Sequence, residues 1–156
     1  MNNGMTVIVR TITRLVYGLI IAFGFYVIMH GHLTPGGGFQ GGAVVASGFA
    51  LMLIAFGTAG LKERLNTHLL QSLEEIGALA FLGLGFAGIG TAFFYNLMAN
   101  SGGIFGTAIP FGPSAGVLNS GGTLPLMNWA AGLKVMTGIA SIVIIMLVGS
   151  RKEGTE

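Results

Sequence analysis

Four apolar runs, each long enough to cross a bilayer, constrain this chain more than any other feature. A spanning helix needs about 20 consecutive apolar residues. Runs of that length fall at about 7–30, 39–61, 73–99 and 126–149. The hydrocarbon core offers no water to an open backbone, so a span must satisfy its own N–H and C=O groups. The fold class expected is therefore all-α: one integral membrane domain over residues 1–156, built of four transmembrane helices. Composition supports this by exclusion. Charged residues make up 8% of the chain and there is no aspartate, against about 25% charged in soluble domains. A soluble core of this size would lack polar surface to cover it, so lipid must cover the outside. There are no cysteines, which excludes disulfides, iron–sulfur clusters and thiol chemistry. The first apolar stretch is long and no small-residue cleavage site closes it, so it is expected to be a span and not a cleaved signal peptide.

The basic residues orient the spans. Arg10 and Arg14 open the first, Lys62 and Arg64 lie between the second and third, and Arg151 and Lys152 follow the fourth. With four spans all three locations share one side. The opposite connections, Gly31–Gly38 and Asn100–Pro125, carry no charge. By the positive-inside rule both termini are expected to be cytoplasmic, in the cell membrane. The few charges speak to membrane orientation and point to no nucleic-acid partner. The long outer connection holds Ile104, Phe105, Ile109, Phe111, Val117 and Leu118 where a disordered loop would be polar and charged. It is expected to be ordered by packing.

Small residues recur inside the spans. Gly42, Ala46 and Ala50 repeat every four residues, and Ala80, Gly83, Ala87 and Gly90 form one stripe, with Gly77, Gly85 and Gly88 on other faces. Small-xxx-small patterns let helices approach closely in lipid. Four helices cannot use that many small faces among themselves, which points to other membrane subunits as partners. The spans share no motif, so an inverted-repeat transporter is not expected.

Five residues are candidates for an ion path. Lys134 lies about seven residues inside the outer end of the fourth span, roughly 10 Å deep at 1.5 Å per residue. No acid is expected at its depth, so its partner should be water, backbone carbonyl groups or another subunit's carboxylate. It is either a relay for protons or cations, or a lysine snorkelling to the interface. Glu74 and Glu75 follow Ser72 and Leu73 in a capping-box pattern at the head of the third span. If the helix instead begins near Asn66, the acids lie deeper, within reach of Arg10 or Arg14. His30 and His32 flank Gly31 at the outer end of the first span. An HxH pair can bind metal, but no third ligand completes a set; polar interface caps or outer-side proton handling are the readings left. His68 is expected to be a solvated cytoplasmic residue.

The segment Pro35-Gly36-Gly37-Gly38-Phe39-Gln40-Gly41-Gly42 lacks the Gly-Lys-Ser/Thr ending of a phosphate-binding loop. Pro35 fixes one turn, and the glycines permit left-handed dihedrals and close backbone contact. The segment should reverse the chain sharply and let another helix press on it. The longer run His30-Gly31-His32-Leu33-Thr34-Pro35-Gly36-Gly37-Gly38-Phe39-Gln40-Gly41-Gly42 resembles the signature of the MnhB/MrpB family, and Val9-Arg10-Thr11-Ile12-Thr13-Arg14 is similar to that family's start. This is the B-subunit family of multisubunit Mrp-type Na+/H+ antiporters, with related subunits in the Mrp-like modules of archaeal membrane-bound hydrogenases and sulfur-reducing relatives. The resemblance implies a small accessory subunit beside complex-I-like antiporter subunits, with no cofactor of its own, no enzymatic activity alone, and Na+ and H+ as the ions moved. It also implies an aspartate near the head of the last span. Here Asn128-Trp129-Ala130-Ala131-Gly132-Leu133-Lys134 offers a lysine and no acid, which favours the hydrogenase-type module. The competing readings are a subunit of a stand-alone antiporter, a purely structural membrane subunit and a self-sufficient small channel. The last is disfavoured because one intramembrane lysine makes no acid–base chain.

Overall fold

The computed structural model describes residues 5–57, 67–109 and 116–153. They form four helices, α1 (Val7–His30), α2 (Gly38–Phe56), α3 (Thr67–Ala87) and α4 (Leu124–Glu153), and no strand among the described residues. Each helix is long and apolar enough to cross a membrane. Few large side chains turn inward, and many, such as Leu15, Leu19, Leu79 and Ile145, stand exposed, as the surface of a lipid-embedded chain requires.

The helix ends follow local chemistry. Pro125 falls in the first turn of α4, where its missing N–H would have had no helical partner. At φ 75°, Gly57 closes α2 and donates its N–H to the Leu53 carbonyl. The second helix thus stops at Phe56, short of the expected Leu61. The rest of that expected span, with Lys62 and Arg64, lies outside the described residues, as do Pro110, Phe111 and Pro113 of the outer connection.

The third span departs most from expectation. It begins at Thr67 and ends at Ala87, so Ser72, Glu74 and Glu75 lie inside the helix and cap nothing. Twenty-one residues at about 1.5 Å each already cross the hydrocarbon core. Beyond Ala87 the chain doubles back. Phe94, at φ 62°, donates its N–H to the Gly85 carbonyl at 3.0 Å, and Phe81, Phe86, Phe93 and Phe94 join in edge and tilted ring contacts. A side chain at Gly85 would meet the Phe94 ring, and one at Gly88 the Tyr95 backbone. Apolarity alone could not separate this re-entrant aromatic knot from a continuing span.

The helices stand in the order α1, α2, α4, α3. Neighbours in that order pack extensively, α1 also touches α4, and α3 contacts α4 alone. Each crossing is made at glycine. An added Cβ at Gly41 would lie 2.7 Å from the Gly24 carbonyl, and one at Gly42 would lie 2.8 Å from the Gly132 carbonyl. One at Gly77 would lie 2.8 Å from the Lys134 backbone nitrogen. Of the expected stripe, Ala80, Gly83 and Ala87 share an exposed face of α3 and Gly90 falls in the turn beyond it; a Cβ at Gly83 or Gly90 meets nothing within 4 Å. The expectation of more small faces than four helices can use therefore holds for this stripe.

Candidate functional site

The α3–α4 crossing brings together two of the candidate residues. Glu74 sits one turn before Gly77 on one face of α3, and Lys134 sits one turn before Gly138 on one face of α4. The arrangement is reciprocal. Gly77 lies against the Lys134 backbone, while Gly138 leaves room for the Glu74 carboxylate, whose Oε1 is 3.1 Å from where a Cβ would be. Across this seam Lys134 Nζ stands 3.6 Å from Glu74 Oε1. This corrects the expectation that no acid shares the depth of Lys134. The early start of α3 moves Glu74 about seven residues, roughly 10 Å, into the helix, and the acid meets the lysine and not Arg10 or Arg14. Those arginines stack on Phe56 instead, 5.9 and 5.1 Å from its ring centre.

The pair is loose and open to one side. Its separation exceeds the ~2.7–2.9 Å of a charge-assisted hydrogen bond. The two side chains stay 48% and 35% exposed, beside an apolar notch lined by Ala78, Phe81, Leu82, Ala131 and Val135. Lysine has three donors, so the ammonium keeps donors for water or for an acceptor brought by a neighbour. A bare charge at this depth costs about 3 kcal/mol; pairing reduces that cost without burying either group. Glu75 points away from this pair, exposed on α3.

The histidines are engaged elsewhere. His30 donates through Nδ1 to the Tyr26 carbonyl at 3.1 Å and stacks on the Tyr26 ring. His32 donates through Nε2 to the Leu118 carbonyl at 3.2 Å, which ties the outer connection to the α1–α2 turn. Among the described residues no group of three or more His, Cys, Asp or Glu could hold a metal. His68 lies in the first turn of α3.

The glycine run does what its composition suggested. Gly36 and Gly37 hold φ of 154° and 140°, which side chains disfavour. A Cβ at Gly38 would run into the Asn128 carbonyl. Asn128 was not singled out in advance as a contact residue, yet its Oδ1 accepts from the Gly38 N–H at 3.4 Å, so α4 supplies the cap for the first turn of α2. Asn96 and Asn119 were missed as well. The Asn96 side chain donates to the Gly121 carbonyl and accepts from Thr123 N–H and hydroxyl; Asn119 accepts from Phe105 N–H and donates to Thr107 Oγ1. With Phe105 edge-on to Trp129, they order the described parts of the outer connection by internal bonds. The available signal was four asparagines, Asn96, Asn100, Asn119 and Asn128, in an uncharged and largely apolar stretch, where each buried amide needs a partner.

Comparison with known proteins places this architecture. A family model described as a domain related to the MnhB subunit of Na+/H+ antiporter matches residues 8–141. An uncharacterized protein of Methanocaldococcus jannaschii is 36% identical over 130 residues, 82% of this chain and 47% of that protein. A Staphylococcus aureus protein named as antiporter subunit mnhB2 is 48% identical over 73 residues, 47% of this chain and 51% of that one. The chain thus spans about half the length of the curated relatives it matches. Among solved structures, a chain of the membrane-bound sulfane sulfur reductase, an archaeal respiratory membrane complex, superposes with a TM-score of 0.69 at 30% identity, over 93% of this chain and 59% of that one.

Proposed function

Because the chain belongs to the family of domains related to the MnhB subunit of Na+/H+ antiporters, and is a multi-pass membrane protein, we propose that it is a small subunit of a multisubunit complex that moves Na+ or H+ across the cell membrane. The observation that carries the proposal is the Glu74–Lys134 pair, two opposite charges from different helices held 3.6 Å apart well inside the spans. A charge in such a place is a functional feature by default, because lipid selects against it. The loose geometry lets the pair open and exchange partners, as a relay or an ion-path gate requires. Likeness to a respiratory-complex chain over 93% of this chain, together with Asn128 and Lys134 in place of the expected acid, supports an Mrp-like module of a respiratory membrane complex over a stand-alone antiporter. The chain acts with partner membrane subunits and not as an enzyme by itself, and it carries no cofactor; one pair at one depth makes no path across the bilayer.

The test uses the assembled complex carrying Lys134→Met and Glu74→Gln together, which deletes both charges and leaves no unpaired one. The complex should assemble, and Na+ and H+ flux in proteoliposomes should fall roughly tenfold or more, equivalent to at least about 1.4 kcal/mol on the barrier. Wild-type flux with a wild-type pH profile would leave the chain a structural subunit.

We also propose that both termini are cytoplasmic. The start of α1 and the end of α2 share one end of the molecule, where Met5 donates its N–H to the Ala55 carbonyl; Arg10 and Arg14 lie there, and in the sequence the other connections on that side carry four more basic residues. The chain has no cysteine, so single cysteines report cleanly. Met5→Cys should label from the cytoplasm and Ile104→Cys, in the outer connection, from the opposite side. Labelling of both from one side would overturn the orientation.

A further inference from the structure

A dry crevice runs between the four helices on the side of α4 away from the Lys134 notch. Because α3 leans on α4 alone, a gap of about 190 Å³ is left. Ile21 and Phe25 of α1 form one wall and Leu70 and Leu73 of α3 the other, over a floor that includes Phe49 of α2 and Ala140 of α4. Its one polar side chain, Thr137, is already spent on the Leu133 carbonyl at 2.8 Å, so the crevice offers water no partners and water needs two to four. A dry apolar cavity of ~150 Å³ takes benzene, so a gap of this volume has room for several methylenes in a row.

Two basic residues lie beyond the crevice, towards the start of α1. Along α1 the residues 10, 14, 17, 21 and 25 share one stripe, and along α2 the residues 45, 49, 53 and 56 share another. Arg14 and Arg10 thus continue the α1 stripe about 10 and 16 Å beyond Ile21, and both stack on Phe56, which continues the α2 stripe. The Arg10 Nε is buried and has no hydrogen-bond partner among the described residues. Two guanidinium groups on the same stripes as an apolar slot, nearer the helix ends, have the layout of a phospholipid: phosphate at the interface, acyl chain inward.

We propose that this crevice binds one acyl chain of an anionic phospholipid of the cytoplasmic leaflet, with the phosphate held by Arg10 and Arg14. The chain fills the wedge that α3 leaves and so fixes the angle at which α3 meets α4. The choice of leaflet rests on the orientation with both termini cytoplasmic; the proposal does not depend on the role given to Glu74 and Lys134.

The experiment uses the assembled complex reconstituted with phosphatidylglycerol or phosphatidylcholine, each carrying a photoactivatable acyl chain. Cross-links should map to Ile21, Phe25, Leu73 and Met136, and should be about fivefold more abundant for the anionic lipid per arginine engaged. Arg10→Gln with Arg14→Gln should abolish that preference while labelling persists. Ile21→Phe, or Ala140→Val if the first does not assemble, should fill the slot and remove wall labelling by both lipids. Labelling of the walls no stronger than that of the lipid-facing Leu15 and Leu19, or unchanged in both filling variants, would overturn the proposal. So would equal labelling by the two lipids in the wild type.

Discussion

Glu74→Gln made alone, and Lys134→Met made alone, should each destabilise the assembled complex more than the two made together. Either single change leaves one charge well inside a span with its partner gone, at about 3 kcal/mol. The double change removes both charges, and replacing an ion pair with neutral groups is often close to neutral for stability. The coupling between the two sites should therefore reach about 2 kcal/mol and carry the sign of a favourable pair. Thermal unfolding of the four complexes in one detergent, closed as a double-mutant cycle, measures it. Additive losses would mean that the 3.6 Å approach contributes nothing to stability. Lys134→Glu adds a useful extreme: two carboxylates at one seam repel, and assembly should fail unless one is protonated. Gly138→Leu probes the same site without touching charge, since its side chain would enter the space of the Glu74 carboxylate.

Gly38→Val should prevent folding of the chain, and Gly41→Val should come close. At Gly38 the new side chain enters the Asn128 carbonyl, and at Gly41 its Cβ lies 2.7 Å from the Gly24 carbonyl. Overpacking costs about 1–3 kcal/mol when side chains can give way; here the obstacle is backbone, so the cost sits at or above the top of that range. The contrast is Gly83→Val. Its Cβ meets nothing within 4 Å, so the chain's own fold should survive. Protease resistance and yield of each variant, expressed with and without its co-purifying subunits, separate the cases. Equal yields for Gly38→Val and wild type would refute the close approach of α2 to α4. Loss of subunit association in Gly83→Val, with the chain itself intact, would mark the bare stripe of α3 as a face that another subunit covers.

The glycine run shows how far local chemistry reaches. Gly36 and Gly37 were legible as turn formers because their dihedrals exclude side chains whatever lies nearby. That Gly38 and Gly42 receive α4, and that Asn128 supplies the missing cap, depended on which helix comes to lie against α2. No local pattern carries that information. The asparagines of the outer connection were illegible for the same reason, since an amide advertises a need for partners without naming them.

The boundaries of α3 follow from two opposite errors of hydropathy. Its first turns carry His68, Gln71, Glu74 and Glu75 and look too polar for a span, yet they are helical. The residues after Ala87 look apolar enough to continue, yet glycines and aromatic packing turn them back. Moving the start to Thr67 turned Glu74 from a capping acid into the partner of Lys134.

What the sequence by itself determined was the solvent and the spans. Lipid forbids unpaired backbone groups, so an apolar run of about 20 residues leaves a helix as its solution. Tertiary structure alone decided the order α1, α2, α4, α3, and with it the meeting of Glu74 and Lys134 and the crevice on the opposite side of α4. Within a membrane every helix is apolar on all sides, so hydrophobicity cannot choose neighbours. Close packing at Gly24, Gly41, Gly42 and Gly77 chooses them, and that choice depends on the fit of one whole helix surface against another.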